Sequence, residues 1–144
     1  MKYEILKPQE SDYDIMIEIW ERSVRRTHDF IPEEYIIELK KDIREKYFYN
    51  VSLLIVKVKG EIKAFIGISW DVIEMLFVDA DEMWKWYGSI LLNFVIGNYW
   101  ITKVDVNEQN VKALEFYLKN WFKIISRDEH DNKWNPYPIL HLSL

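Results

Sequence analysis

Three side chains of this chain have the chemistry of proton transfer. Tyr117 lies in a helical pattern next to Phe116, and its phenol could protonate a leaving group. His28 is one of 3 histidines, and an imidazole can accept a proton near neutral pH. Glu74 is an acid inside an apolar run and could act as a base through a water molecule. Each has an ordinary alternative: a packing tyrosine, a structural histidine and a solvent-facing glutamate.

Length and composition limit the classes of protein that this chain can be. Its 144 residues suit one domain spanning 1–144. The 24 Asp+Glu exceed the 19 Lys+Arg, which argues against a protein that binds nucleic acid through charge. With no Cys there is no thiolate nucleophile, and the histidines are not spaced with acids as metal ligands, so no metal is predicted. We see neither a membrane span nor a signal peptide, and expect a cytoplasmic protein with no membrane partner.

The elements that must position these side chains follow from hydrophobic periodicity. The pattern predicts the order β-α-α-β-β-β-α-β-α-β-β, which is typical of a mixed α/β (α+β) sheet with helices on its faces. Residues 73–78 form an apolar run that favours a strand buried on both faces. Asn107 is the expected cap of the helix that carries Val111 and Leu114. The predicted strands cover 2–6, 51–58, 62–69, 73–78, 101–106, 122–126 and 137–142, with a loop at 79–87 and a buried helix at 88–96.

Three segments carry a resemblance to a known family. They are MLFVD at 75–79, followed by a loop into a helix at Gly88, VDVNEQN at 104–110, and ALEFYLKNWF at 113–122. With the element order, they resemble the GNAT superfamily of acetyl-CoA-dependent N-acetyltransferases, in which the third segment reads A-x-x-F-Y-x-x-x-G-F. The resemblance implies a mixed, mostly antiparallel central sheet with a splayed cofactor-binding strand pair and helices on both faces.

The resemblance also implies a set of residues that bind acetyl-CoA, the cosubstrate. The strand at 76–78 would pair with the pantetheine arm, and the loop after it would wrap the pyrophosphate at the start of a helix, where backbone N–H groups point at one place. Asn110 would bond to the cofactor arm, or would instead satisfy backbone donors in the first turn of its own helix. The implied cofactor-binding residues are Leu76, Phe77, Val78, Met83, Trp84, Lys85, Trp86, Tyr87, Gly88, Ser89, Asn110 and Tyr117.

The same resemblance assigns the proton-transfer residues. Tyr117 would protonate the departing thiolate, and His28 or Glu74 would serve as the base on the acceptor side. The expected reaction is direct attack on the thioester by a primary amine of a small molecule or a peptide. A homodimer is compatible with the resemblance.

The pyrophosphate loop departs from the family pattern Arg/Gln-x-x-Gly-x-Gly/Ala. Met83 stands at the Arg/Gln position, Trp86 at the first Gly, and Trp84 where Gly is common, while Gly88 keeps the Gly/Ala position. Because glycine lets the backbone approach phosphates closely, two indoles there predict weakened binding of acetyl-CoA. The alternative function is therefore a non-catalytic GNAT-fold binding protein with a blocked cofactor loop.

Tryptophan stands at glycine-like positions elsewhere as well. The chain has 7 Trp and 4 Gly, whereas average usage predicts roughly 10 Gly. Only Trp20, on the apolar side of the first helix, fits a native tryptophan. Drift or engineering are alternatives, but our hypothesis is a codon read as Gly in the source and rendered as Trp, since UGA has both readings in bacterial codes. The glycine-like positions are Trp70, Trp84, Trp86, Trp100, Trp121 and Trp134.

Overall fold

The computed structural model describes residues 2–82 and 86–144. Within them the strands are β1 (Glu4–Leu6), β2 (Ser52–Val58), β3 (Glu61–Ser69), β4 (Val72–Val78), β5 (Lys103–Asn107), β6 (Lys123–Asp128) and β7 (Ile139–Ser143). The helices are α1 (Tyr13–Thr27), α2 (Glu33–Asp42), α3 (Phe48–Asn50), α4 (Tyr87–Tyr99) and α5 (Val111–Lys119). A π-helical turn, Ile43–Tyr47, joins α2 to α3. The element order agrees with the prediction, with α3 as a short extension of the second helix.

The strands form one sheet in the order β1-β2-β3-β4-β5-β7-β6. All neighbours pair antiparallel except β4 and β5, which are parallel. A hairpin turn at Lys59 and Gly60 joins β2 to β3, and both residues have positive φ, as a type I′ turn requires. The predicted mixed, mostly antiparallel sheet is therefore confirmed.

Helices cover both faces of this sheet. Because successive side chains of a strand point to opposite faces, Phe65 of β3 joins one apolar cluster while its neighbours Ala64 and Ile66 join the other. The first cluster packs α1 and α2 on the sheet and contains Trp20, which is 3% exposed. The second packs α4 and α5 on the opposite face. The two clusters place residues of α1 and α5 beside the C-terminal end of β4.

Strand β3 is tightly paired on both of its edges. Its register with β4 runs from Ala64↔Val78 to Ser69↔Val72, with one irregularity at Gly67. A Cβ on Gly67 would lie 2.9 Å from Val51 Cγ2 and 3.0 Å from Met75 Cε. A larger residue there would force these side chains to move, and glycine avoids that crowding at the irregular point.

Strands β4 and β5 separate soon after they meet. Their pairing consists of Val72↔Lys103 and Ile73↔Val104. From Glu74 to Val78, β4 has no strand partner on its β5 side among residues 2–82 and 86–144. The splayed strand pair implied by the sequence is present.

Two local predictions are wrong. Residues 73–78 are not buried on both faces: Ile73 is buried, but Glu74 is exposed and the rest are half-buried, because the splay opens a groove beside them. Asn107 does not cap α5; Asn110 does, and its Oδ1 accepts a hydrogen bond of 3.3 Å from the Ala113 N–H. The predicted loop at 79–87 contains a 3₁₀ turn at Ala80–Glu82, and α4 begins at Tyr87.

Four tryptophans occupy backbone conformations that favour glycine. The φ angles of Trp70, Trp100, Trp121 and Trp134 are 54°, 59°, 75° and 62°. Their exposed fractions lie between 80% and 95%, so none contributes to the core. Separately, no helix in the described part of the chain is long and apolar enough to cross a membrane.

Candidate active site

A groove opens where β4 leaves β5, and we call it the β4 groove. It has a volume of about 290 Å³ and lies between β4, the start of α4 and the start and middle of α5, with α1 contributing at one side. Eight of the predicted cofactor-binding residues line it: Leu76, Phe77, Val78, Trp86, Gly88, Ser89, Asn110 and Tyr117. Residues distant in the sequence therefore meet in one cavity with an unpaired strand edge along its wall.

Tyr117 lies on the α5 wall of the groove. Its side chain is 6% exposed, and its ring contacts Phe116 and Phe122 edge-on at centroid distances of 5.2 and 5.5 Å. Burial raises the pKa of Tyr117 well above its ordinary value. The phenol therefore keeps its proton at neutral pH, which is the state that a general acid needs.

The N-terminus of α4 forms the end of the groove that would hold a phosphate. Trp86 is the N-cap residue, and Gly88 and Ser89 lie in the first turn. A Cβ built on Gly88 would contact Val78 and Phe116 at 3.6 and 3.7 Å, so this residue sits between the β4 and α5 walls. The first N–H groups of a helix have no partner within the helix and attract anions. The predicted residues Met83, Trp84 and Lys85 lie outside the described residues.

Asn110 stands at the opposite wall, at the N-terminus of α5. Its Oδ1 is already the helix cap, so its side-chain N–H₂ is the group that can face a ligand. Lys112 follows in the first turn and also lines the groove. It brings a cation to a cavity whose other polar lining groups are neutral.

Two arginines of α1 hold the segment that follows β4. Arg22 donates from Nε and Nη2 to both carboxylate oxygens of Asp79 at 3.1 and 3.0 Å. Arg26 donates to the carbonyl of Ala80 at 2.9 Å. This contact fixes the chain where it leaves the groove, and the Arg22 guanidinium lowers the pKa of Asp79 against the opposing effect of burial, which is the larger single influence.

Comparison with known proteins assigns the chain to a family. No protein-family model matches it. The peptidyl-lysine N-acetyltransferase YjaB of Escherichia coli K12 is 31% identical over 144 residues, covering 99% of this chain and 97% of YjaB. The Salmonella typhimurium LT2 YjaB is 30% identical over 142 residues, covering 99% and 98%. The chain belongs to the GNAT family of N-acetyltransferases.

Solved GNAT structures share the fold. The solution structure of apo YjaB from Escherichia coli superposes with a TM-score of 0.89 at 30% identity, covering 99% of this chain and 97% of that one. A PaiA N-acetyltransferase from Thermoplasma acidophilum in complex with coenzyme A has a TM-score of 0.76 at 22% identity, with full coverage of both chains. The predicted family, fold class and enzyme class, an acyltransferase, are confirmed, as is acetyl-CoA as the cosubstrate of this family.

Glu74 lies on β4 where the GNAT strands begin to diverge. Its side chain is exposed, yet the surrounding protein withdraws its carboxyl partly from water, and Asp105 of β5 adds a repelling charge; both raise the pKa of Glu74. A raised pKa makes a carboxylate a better base near neutral pH. Glu74 does not itself line the β4 groove.

His28 follows α1 directly and is buried, with 7% of its surface exposed. Its Nδ1 lies 2.7 Å from Thr27 Oγ1, and its ring lies 5.4 Å from that of Phe30. Burial lowers the pKa of His28 to about 4, against a smaller opposite effect of Asp29. It is therefore a neutral, weakly basic group beside the site, and it does not line the groove.

Among the described residues, the groove differs from the predicted set of cofactor-binding residues in two ways: Tyr87 does not line it, and five other residues do. Tyr87, predicted to bind cofactor, is 1% exposed and belongs to the core cluster, because the first residue of α4 faces the sheet. Sequence reasoning missed five groove residues. Ala113 and Phe116 lie inside the motif at 113–122, but Ser23 and Thr27 of α1 carry no signal that would assign them to a site. The missed residues are Ser23, Thr27, Lys112, Ala113 and Phe116.

Proposed function

We propose that this GNAT enzyme transfers the acetyl group of acetyl-CoA to the side-chain amine of a lysine in a peptide or protein. The observation that carries the proposal is the β4 groove, in which an unpaired strand edge faces Tyr117. The lysine acceptor is suggested by the relatives, which are named peptidyl-lysine N-acetyltransferases.

The residues of the groove fit a pantetheine arm and a pyrophosphate. The arm carries amides, so it can pair with the β4 backbone from Glu74 to Val78, where no described strand does. Asn110 offers its side-chain N–H₂ from the other wall. The pyrophosphate would lie at the N-terminus of α4, near the N–H groups of Gly88 and Ser89. Lys112 supplies a cation on the same cavity.

The reaction that this geometry supports is direct attack. The lysine nitrogen forms a bond to the thioester carbon, and the carbon–sulfur bond breaks as the tetrahedral intermediate collapses. Glu74 accepts the amine proton through water, and Tyr117 donates its proton to the departing sulfur. We place Glu74 rather than His28 in the base role, because the pKa of Glu74 is raised towards neutrality while that of His28 is lowered away from it.

The surface beside Glu74 carries more acids than bases, which favours a cationic acceptor. His141 pairs with Asp105 and Asp128 there at 2.6 Å each and offsets part of that charge. Asp105 lies within electrostatic range of Glu74 and also lines a second cavity of about 590 Å³. Asp128, Glu129 and Asp131 line the same cavity. Acidic side chains therefore extend from the proposed base over β5 and β7 towards β6, where they could attract basic residues that flank the acceptor lysine.

The test is an acetylation assay by mass spectrometry. Lysine peptides with and without flanking basic residues are incubated with acetyl-CoA and the chain as written, and in parallel with the Trp84→Gly/Trp86→Gly variant. We expect acetyl-lysine with the variant at least, and a loss of product when Tyr117→Phe is added. Acetyl-CoA binding without acetylation of any lysine peptide would contradict the acceptor class, and a panel of small amines would then replace it.

A second function, a non-catalytic binding protein, is favoured by one observation. Trp86 is 78% exposed and lines the β4 groove at the end where the pyrophosphate would lie. Calorimetry of the chain as written with acetyl-CoA separates the two functions: micromolar binding contradicts a blocked groove, and no binding contradicts catalysis by this exact chain. The cytoplasmic location and the homodimer stay predictions.

A further inference from the structure

We propose that the functional protein carries glycine instead of tryptophan at positions 70, 84, 86, 100, 121 and 134. The part that concerns 84 and 86 rests on the proposed function, because 86 lies at the phosphate end of the β4 groove and 84 belongs to the same family loop in the sequence. The part that concerns 70, 100, 121 and 134 rests on backbone geometry alone. If the proposal holds, the functional protein has glycine, and the chain as written tryptophan, at four turns and at two positions of the cofactor loop.

The end of α5 carries the clearest observation. Trp121 donates its N–H to the carbonyl of Leu118 at 3.3 Å, and Phe122 donates to the carbonyl of Tyr117 at 3.1 Å. The rings of Phe122 and Tyr117 are also in contact. These two bonds and the apolar contact define a Schellman motif, whose left-handed residue is usually glycine. Trp121 holds that position with a φ of 75°.

Two further turns require the same conformation. Trp100 ends α4 with φ 59° and ψ 33°, which is the left-handed position after a helix. Trp70 is the first of two residues between the paired Ser69 and Val72 of the β3–β4 hairpin, and its φ is 54°. A two-residue hairpin whose first central residue has positive φ places glycine there. Bulky side chains are strained in this region of φ and ψ. The indoles of Trp100 and Trp70 are 86% and 95% exposed, so they gain no burial that would offset the strain.

Trp20 shows what a tryptophan used by this fold looks like. It lies within α1, is 3% exposed and approaches Phe77 with a ring-centroid distance of 6.5 Å. Trp134, by contrast, has a φ of 62° and is 80% exposed. Tryptophan is a rare and bulky residue, so random loss of glycine would not choose it repeatedly. One codon with two readings explains all six positions and leaves Trp20, on the ordinary codon, unchanged.

The position in the groove links the proposal to acetyl-CoA. Trp86 is the N-cap residue of α4 with a φ of −85°, so its backbone is not strained, and its exposed side chain lines the groove. Glycine at 86 is therefore inferred from the space that a phosphate at this helix N-terminus would need. Removing the indole leaves backbone N–H groups at the N-terminus of α4 accessible. Trp84 lies outside the described residues and enters through its position in the same loop.

Peptide mass spectrometry of the protein isolated from its source cells tests the proposal directly, together with the gene sequence. We expect glycine masses at all six positions, tryptophan at position 20, and one codon shared by the six but absent from position 20. Tryptophan masses at positions 100 and 121 would overturn the proposal.

Variants of the chain as written give an independent test. We expect Trp70→Gly, Trp100→Gly, Trp121→Gly and Trp134→Gly each to raise Tm, by roughly 3 °C where the strain is fully relieved. Trp20→Gly is the matched control and should lower Tm strongly. A fall in Tm for the four surface variants would overturn the turn argument.

The cofactor part has its own readout. We expect the Trp84→Gly/Trp86→Gly variant to bind acetyl-CoA at least tenfold more tightly than the chain as written. Glycine masses at 84 and 86 without acetyl-CoA binding would leave the glycine proposal standing and overturn the proposed function. Tight binding that is unchanged by the substitutions would leave the proposed function standing and overturn the part of the proposal that concerns positions 84 and 86.

Discussion

The two edges of β4 have opposite uses. Towards β3, Val72, Ile73 and every residue from Met75 to Val78 have a partner, and only Glu74 is skipped, at the irregularity between Gly67 and Ile68. Towards β5, pairing stops after Ile73. The paired edge lies over a core in which Phe65 is fully buried, whereas the open edge borders the β4 groove with its half-buried side chains.

This difference teaches how one strand can serve both stability and binding. Backbone groups that pair with another strand stabilise the sheet, and groups left without a strand need another partner. A groove beside such an edge therefore predicts a ligand with amides of its own. If this view holds, changes on the β3 side should act on unfolding, and changes on the β5 side should act on catalysis.

The largest expected effect lies on the paired edge. Phe65 of β3 is 0% exposed and contacts the rings of Phe48 and Phe77. We expect Phe65→Ala to lower the free energy of unfolding by about 3–5 kcal/mol, through lost burial and the cavity left behind. Urea unfolding measures it. Leu76→Ala, at the groove, is the matched variant and should cost less; equal losses would break the distinction between the edges.

The next effect concerns the helix that packs on β3 and β4. His28 ends α1 as a neutral group because burial lowers its pKa from 6.5 to about 4. The unfolded chain then binds more protons between these pH values, so stability should fall as pH falls through this window, by roughly 3 kcal/mol from this residue. Unfolding from pH 8 to 4 measures the slope.

His28→Gln is the control for that measurement. It removes the titrating group, so the difference in unfolding free energy between the native chain and the variant should change between pH 6.5 and 4. A difference that stays constant over this range would show that the imidazole does not titrate as proposed.

On the open edge, Tyr117→Phe should act on catalysis and spare folding. The ring stays in its contacts with Phe116 and Phe122, while the proton donor is lost. We expect kcat to fall roughly 100-fold, within the range for a general acid, with little change in Tm or in the Kd for acetyl-CoA. The measurement uses the Trp84→Gly/Trp86→Gly background. An unchanged kcat would remove Tyr117 from the acid role.

The smallest effect is expected where β4 ends. The ion pair between Arg22 and Asp79 joins α1 to the mouth of the groove, and the arginine is 46% exposed. Solvent screening limits such a pair, so a double-mutant cycle with Arg22→Met and Asp79→Asn should give a coupling of about 0.5–1 kcal/mol. A coupling of several kcal/mol would mean that the open edge also carries much of the stability.

Much of the architecture could be predicted from the chain alone. The element order is read from local periodicity, which is strong in the helix with Ile15 and Ile19 and in the strands on either side of Gly60. The family pattern at 113–122 led to Tyr117. The prediction failed for residues 73–78, because an apolar run does not tell whether another strand or an open groove lies beside it.

The sequence by itself determined the order of the elements and the family pattern, because each depends on residues close to one another along the chain. Only the tertiary structure decided where β4 and β5 part, that Ser23 and Thr27 of α1 reach the same groove as Tyr117, and that Tyr87 turns into the core. These outcomes depend on how helices stack on a twisted sheet. That packing joins residues up to about a hundred positions apart, and no local pattern records it.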